Sequence, residues 1–126
     1  MEDKADMLSE RLLDYGVEIV KLVASFERTT AGRHIAGQLL RSGTSVGANY
    51  EEARGAHGRA DFVHKLRIVI KEVRESLYWL RLAERAGLSN GLNLGHLLDE
   101  TEQLARIVGR SLLTANKGKQ APTKPH

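Results

Sequence analysis

Residues 38–52 read QLLRSGTSVGANYEE, and the architecture of the chain can be argued outward from them. Gly43 and Gly47 each cost the interior of a helix roughly 1 kcal/mol relative to Ala. The spacing is nevertheless helical, because one face recurs at alternating steps of four and three. Its members are Ile35, Leu39, Ser42, Val46, Asn49, Ala53 and Ala56. Small residues on a helix suit a close approach between two backbones, so the stretch predicts a helix packed along a small, polar seam.

Three further segments show helical periodicity, and none alternates with the period of two that marks a strand. The clearest stripe precedes the seam and comprises Leu8, Leu12, Tyr15, Ile19, Leu22 and Phe26. The predicted helices span about residues 4–27, 32–56, 60–86 and 90–115. Gly87 is expected to end the third helix in a left-handed conformation, and Ser89 or Asn90 to cap the fourth. Short connections make consecutive helices antiparallel, so residues 1–116 are predicted to form an all-α, up-down-up-down four-helix bundle.

Composition restricts the setting of this domain. The chain has no cysteine, which excludes disulfides and thiolate metal sites and favours a reducing, cytoplasmic compartment. No apolar run approaches the ~20 residues of a membrane span. The end of the chain, residues 117–126, reads KGKQAPTKPH and is predicted to be a disordered basic tail. Residues 28–85 carry eleven basic and six acidic side chains, which makes the middle of the chain the part most relevant to anionic partners.

Two blocks of sequence resemble a known family. The first is Gln38–Asn49, and the second comprises Asp61–Leu66, Lys71–Glu75 and Tyr78–Leu80. In order and spacing they resemble small bacterial four-helix-bundle proteins encoded in intervening sequences of large-subunit rRNA genes. That family includes the accessory variability proteins of diversity-generating retroelements.

The resemblance implies a ring-shaped homopentamer without established chemistry. In the retroelement branch it implies an accessory role, in which a basic surface engages a reverse transcriptase and its template RNA. In the intervening-sequence branch it implies an association with rRNA. Two departures from the family pattern, Tyr50-Glu51 and residues 58–60, leave the branch open.

The third predicted helix is more apolar than one core face requires. Phe62, Leu66, Val69, Val73 and Leu80 form one seam, and Ile68, Trp79 and Leu82 are among those that lie outside it. This surplus predicts burial against a second copy of the chain. Apolar residues scattered on the surface are the alternative.

The same helix carries a basic face. Six residues lie within an arc of about 80° at 100° per residue: Arg67, Lys71, Arg74, Tyr78, Arg81 and Arg85. Arg54 and Arg59 would extend this face at the preceding loop. A row of cations with an aromatic in its middle suits phosphates with room for base stacking, so these eight residues are the predicted nucleic-acid-binding site, with RNA favoured over DNA. The alternative is a solvated face crossed by ion pairs such as Lys71 with Glu75.

A polar group shares one face of the second predicted helix, at steps of four, four and three: Arg41, Ser45, Asn49 and Glu52. Together with Glu72 and Glu75 these residues are predicted to form a structural network that fixes helix register. Arg41 or Arg74 would neutralise Glu72 or Glu75 in that network. A binding site built from the same residues is the alternative.

Catalysis has little support in the sequence. The five histidines are dispersed, and Gly58 interrupts the only spacing that suggests metal ligands, that of His57, Asp61 and His64. We therefore predict no enzyme, no metal and no cofactor. The favoured hypothesis is a homo-oligomeric nucleic-acid-binding accessory protein, and the alternative is a protein-interaction scaffold that does not bind nucleic acid directly.

Overall fold

The computed structural model describes residues 3–120. They form four helices, α1 (Lys4–Val23), α2 (Thr30–Arg54), α3 (Arg59–Ala86) and α4 (Gly95–Gln120), and no strand occurs between residues 3 and 120. Each helix runs antiparallel to the one before it. Helix α2 packs on α1 and α3, while α3 packs on α2 and α4 and lies diagonal to α1. The prediction of an all-α, up-down-up-down bundle is confirmed.

Helix α1 ends at Val23, four residues before the predicted boundary. The amide of Ser25 donates to the carbonyl of Leu22 and that of Phe26 to Val23, which tightens the chain into a turn. Phe26 stays 5% exposed and so belongs to the core without belonging to the helix. The amide of Glu27 then donates to the carbonyl of Leu88, tying this turn to the connection between α3 and α4.

That connection also accounts for the late start of α4. Gly87 is left-handed at φ 69°, and the amide of Leu88 donates back to Ala83, so the predicted glycine cap is present. Asn90 and Gly91 follow with φ 57° and 85°, values that no right-handed helix contains. The predicted start near residue 90 is therefore wrong.

Helix α4 begins instead at Gly95, whose amide donates to the side-chain oxygen of Asn93. It continues to Gln120, so the predicted disordered tail is helical over residues 117–120. The rest of that tail, residues 121–126, lies outside the described residues.

Close packing between α1 and α2 is concentrated at one glycine. A Cβ on Gly43 would lie 2.8 Å from both Cγ atoms of Ile19, which is fully buried. A Cβ on Gly47 would meet the carbonyl oxygen of Leu12 at 3.4 Å, an ordinary van der Waals contact. The tight part of the predicted seam is therefore at Gly43.

Buried hydroxyls link the four helices in two pairs. Ser76 of α3 donates to Ser42 of α2 at 2.9 Å, and the hydroxyls of Tyr15 in α1 and Thr101 in α4 lie 2.6 Å apart. Burial raises the pKa of Tyr15 to about 12, so the phenol is neutral at physiological pH. Among the described residues, no buried side-chain nitrogen or oxygen lacks a hydrogen-bond partner. The polar residues inside the bundle thus fix its register at little energetic cost.

None of the four helices, over the described length of the chain, has a stretch apolar and long enough to cross a membrane.

The contact at Gly43 can be tested with two alanine substitutions in α2. In Gly43→Ala, overpacking against Ile19 should cost roughly 1–3 kcal/mol, and better helix propensity recovers about 1 kcal/mol of it. Gly37→Ala is the matched control, because a Cβ there would meet nothing within 4 Å. We expect Gly37→Ala to raise the free energy of unfolding and Gly43→Ala to lower it, as measured by urea denaturation. Equal stabilisation by both would contradict the tight seam.

Candidate nucleic-acid interface

The basic face predicted on α3 is exposed. Arg67, Lys71, Arg74, Tyr78, Arg81 and Arg85, called the α3 stripe from here on, all point away from the core. They point outward because the opposite face of α3 is buried in the bundle interior. That buried face includes Leu66, Val69 and Leu80. The stripe covers about 18 residues and so about 27 Å at 1.5 Å per residue.

The cations of the α3 stripe form no ion pairs among the described residues. Among the described residues, none of the five has a carboxylate oxygen within 4.0 Å. The ion pair between Lys71 and Glu75, which was the alternative interpretation, does not form, because the carboxylate of Glu75 turns toward Arg41 of α2. The positive charge of the stripe is therefore available to a ligand.

Arg54 and Arg59 do not extend the stripe equally. Arg54 donates to Ser9 at 2.9 Å and to Asp6 at 2.8 Å, so its guanidinium lies against α1. This pairing lowers the pKa of Asp6. Arg59 is exposed at the start of α3, eight residues before Arg67 and thus about 12 Å further along the axis. At 100° per residue Arg59 is turned about 80° from Arg67, so it lies beside the edge of the α3 stripe, and Arg54 lies outside the stripe.

A cluster at the α2–α3 contact holds the carboxylates away from the stripe. Arg41 donates to Glu72 at 3.1 Å and also to Glu75. Of the two arginines that the sequence offered as partners, Arg41 fills the role and Arg74 stays in the stripe. The guanidinium of Arg41, and after it the indole of Trp79, lowers the pKa of Glu75.

The other predicted network residues do not join this cluster. The hydroxyl of Ser45 donates to the carbonyl of Arg41, and the side-chain amide of Asn49 donates through Nδ2 to the backbone carbonyl of Ser45, so both bond within α2. Glu52 pairs with Lys65 of α3 at 3.2 Å. The six residues thus comprise one cross-helix cluster, two local bonds and one separate ion pair.

Sequence reasoning named Trp79 only as a surplus apolar residue and missed its contacts beside the stripe. Trp79 is half-buried and donates its indole N–H to Glu75 at 3.1 Å. Its ring meets His34 of α2 edge-on at 6.2 Å and Tyr78 at 5.0 Å between centroids, with 76° between the Tyr78 and Trp79 planes. The four-residue spacing of Glu75 and Trp79 was the available signal.

Sequence reasoning also placed the surplus apolar surface on the wrong helix. On α3, Ile68, Trp79 and Leu82 are half-buried within the single chain. Besides Tyr78, the exposed large apolar residues lie on the other three helices and in the loop before α4. The group on α1 includes Leu13 at 61% exposed, Val17 at 45% and Val20 at 49%. They border a groove of about 700 Å³ between α1 and α2, whose small residues include Gly16, Gly47 and Ala48. The spacing of the three exposed residues, at steps of four and three, was the missed signal.

The histidine spacing near the α2–α3 connection has a structural use. The carboxylate of Asp61 accepts the backbone N–H of His57 at 3.1 Å. Within residues 3–120, no group of three or more His, Asp or Glu side chains is placed to hold a metal ion.

Comparisons with known proteins bear on this surface. The family model of the 23S rRNA-intervening sequence protein matches residues 8–110. A crystal structure of a protein of unknown function from the S23 ribosomal protein family of Bacteroides thetaiotaomicron superposes with a TM-score of 0.77 at 30% identity. The match covers 87% of this chain and 98% of that one. A search of curated proteins gave no match.

The Arg41 cluster should give stability a pH dependence of known sign. The pKa of Glu75 is lowered in the folded chain, so its contribution is complete above the ordinary value of 4.5 and is lost as pH falls toward the folded-state value. We expect Glu75→Gln to lower the free energy of unfolding by about 1 kcal/mol or less at pH 7, because solvent screens the half-exposed Arg41. Below pH 4 the difference from wild type should shrink.

Urea denaturation at both pH values measures this difference. Glu84→Gln on the exposed side of α3 is the control, since no cation lies within 4.0 Å of it among the described residues. A Glu75→Gln effect of equal size at both pH values would show that the carboxylate charge is not what stabilises the contact.

Proposed function

The chain belongs to the 23S rRNA-intervening sequence protein family, and from that premise we propose that it is a non-enzymatic, homo-oligomeric protein that binds nucleic acid, RNA in preference to DNA. The observation that carries the proposal is the α3 stripe, whose five cations are exposed and have no carboxylate partner in the described part of the chain. The association of the family with an rRNA gene region supports RNA as the ligand.

The arrangement of charges suits a phosphate backbone. Cations spaced along about 27 Å of one helix face can each displace condensed counterions from a bound strand. Glu72 and Glu75 would reduce the field of such a face, but both are turned toward α2 and share the guanidinium of Arg41. Arg41 thus acts indirectly, by keeping the stripe positive. The proposal requires no bond making and no cofactor.

A finer role follows from the resemblance of residues 38–49 and 61–80 to accessory variability proteins. In that role the protein would hold a template RNA for a retroelement reverse transcriptase. The stripe would contact the RNA, and another surface would contact the enzyme.

Self-association is proposed to use the groove between α1 and α2. Leu13, Val17 and Val20 are large, exposed and contiguous with a groove about 700 Å³ in volume. Apolar surface of this kind is stabilised by burial against another chain, and the family resemblance makes a second copy the occupant. Because α1 and α3 are diagonal in the bundle, assembly through this groove leaves the α3 stripe accessible.

The groove also favours the second candidate function. A protein scaffold without nucleic-acid affinity would use the apolar α1–α2 face for a partner protein and leave the stripe as a solvated surface. RNA binding by the purified chain separates the two candidates.

The first test is the salt dependence of RNA binding, measured by fluorescence anisotropy with the purified full chain. Five cations on a single strand should give an affinity that falls about a hundredfold between roughly 50 and 200 mM salt. The double variant Arg74→Glu with Arg81→Glu should weaken binding at least about tenfold and make the salt slope shallower by roughly 1.5–2.

The control is Lys4→Glu with Arg28→Glu, which changes net charge equally at exposed positions outside the stripe. It should retain most of the affinity. Failure of the wild-type chain to bind at low salt would favour the scaffold. Equal losses in the two double variants would show that the stripe is not a localised site.

The second test is the mass of the chain in solution, by size-exclusion chromatography with light scattering. We expect wild type to form an oligomer, with a pentamer as the proposed stoichiometry, and Leu13→Glu to dissociate it by placing a charge in the apolar contact. Leu113→Glu is a matched control, because Leu113 of α4 is 60% exposed and Leu13 61%. A monomeric wild type, or dissociation by both variants alike, would refute assembly through the α1–α2 groove.

A further inference from the structure

We propose that Tyr78 is a stacking platform for an unpaired base, held in position by a chain of contacts that starts on α2. The inference rests on the proposed binding of RNA by the α3 stripe, and it specifies the ligand class as single-stranded or looped RNA, as opposed to a continuous duplex.

The position of Tyr78 is the first observation. It is the aromatic member of the α3 stripe, and it is 58% exposed. Arg74 lies four residues before it and Arg81 three residues after it, so both are its neighbours on the helix surface, about 5–6 Å away between Cβ atoms. A strand whose phosphates contact these two arginines passes directly over the Tyr78 ring.

The second observation is that a neighbouring ring holds the Tyr78 ring in place. Tyr78 meets the ring of Trp79 at 5.0 Å and 76°, an edge-to-face contact. Trp79 is itself held by its N–H bond to Glu75 at 3.1 Å, and Glu75 is held by Arg41 of α2. The bracing contact therefore fixes the orientation of an exposed side chain that would otherwise sample several rotamers, which lowers the entropic cost of stacking.

The chemistry of the ligand follows from these two observations. In an A-form duplex the bases are stacked on each other and the deep major groove is too narrow for side chains, so no base face is available to an aromatic ring. Unpaired bases in single strands, loops and bulges present such a face. Cations alone bind duplex and single strand alike, whereas a braced ring among cations adds affinity only for the unpaired form.

The chain contains its own reporter for this event. Trp79 is its only tryptophan, and it touches the proposed platform. A base that stacks on Tyr78 changes the surroundings of Trp79, so tryptophan emission should change on titration with single-stranded RNA. A duplex held only by phosphate contacts should leave the emission nearly unchanged.

The test compares an oligouridylate of about 12 nucleotides with a blunt RNA duplex of similar phosphate number, a length within the usual range of such sites. Each is titrated into the full chain at one salt concentration, with anisotropy and tryptophan emission as readouts. Tyr78→Ala should weaken binding of oligouridylate by roughly 5- to 100-fold, because stacking on one aromatic ring is worth that much. Binding of the duplex should change by less than about twofold, and Tyr78→Phe should retain both affinities.

Glu75→Leu tests the positioning contacts. Removing a negative charge beside the stripe should strengthen binding of both RNAs by electrostatics alone. Loss of the contacts that hold Trp79 and Tyr78 in place should weaken binding, and only binding of the single-stranded RNA. We therefore expect the ratio of single-strand to duplex affinity to fall, by roughly two- to fivefold, while the circular dichroism spectrum and thermal midpoint show that the variant is folded.

Three outcomes would overturn the inference. If wild type binds both RNAs with the expected salt dependence and Tyr78→Ala matches it, the platform is wrong and the electrostatic site stands. If Tyr78→Ala weakens both RNAs equally, the ring supports the surface without stacking on a base. If wild type binds neither RNA, the proposed function fails and the platform fails with it.

Discussion

The placement of Arg41 between two carboxylates of α3 is the constraint on which most of the proposed binding surface depends. Glu72 and Glu75 lie one turn apart on α3, and a single guanidinium from α2 reaches both. One residue along α2, the hydroxyl of Ser42 meets Ser76 in the core, so the polar contact at the rim and the buried contact beneath it specify the same register. Because that register turns the two carboxylates toward α2, the cations of the α3 stripe have no ion-pair partner within residues 3–117. It also places Glu75 where it can hold Trp79, and through Trp79 the exposed ring of Tyr78.

Only some of the weak helix-forming residues of α2 are explained by close packing. Gly43 is required by the close approach of Ile19, and Ser42 by its bond to Ser76. The hydroxyls of Thr44 and Ser45 instead donate to backbone carbonyls one turn back in α2. These bonds neither pack one helix against another nor join two helices. Gly47 has room for a methyl group and faces the groove toward α1. The groove exists because small residues such as Gly47 and Ala48 leave it unfilled. The small residues of α2 therefore have two effects: they permit the tight contact at Gly43, and they leave the groove open.

Periodicity in the sequence predicted the bundle because it reports which residues share a face. It identified the buried stripe of α1 and the residues that share the face of the α3 stripe, and the capping signal identified the left-handed Gly87, since each depends on local geometry alone. Periodicity could not show which residues of other helices a face contacts. Arg54 appeared beside the stripe in the sequence, but its partners Asp6 and Ser9 are more than forty positions away in α1. The surplus of apolar residues was likewise attributed to α3, whose side chains the fold half-covers, while the exposed ones on α1 lie outside the stripe that was identified on that helix.

The two candidate surfaces place opposite demands on any assembly. Burying the α3 stripe between copies would remove five cations from water. The described residues that line the groove between α1 and α2 include only two carboxylates to pair with them, Glu10 and Glu51, and its own Lys21 offsets one of these charges. Burying Leu13, Val17 and Val20 incurs no such cost and gains roughly 1–2 kcal/mol for each, in proportion to the area that is now exposed. Physical chemistry thus favours contact through α1 and solvent exposure of α3. An oligomer built that way repeats the stripe once per copy, so a strand that reaches two stripes binds the second one intramolecularly and gains affinity without any new contact. Weak single-site binding to an exposed helix face is then sufficient for tight binding by the assembly.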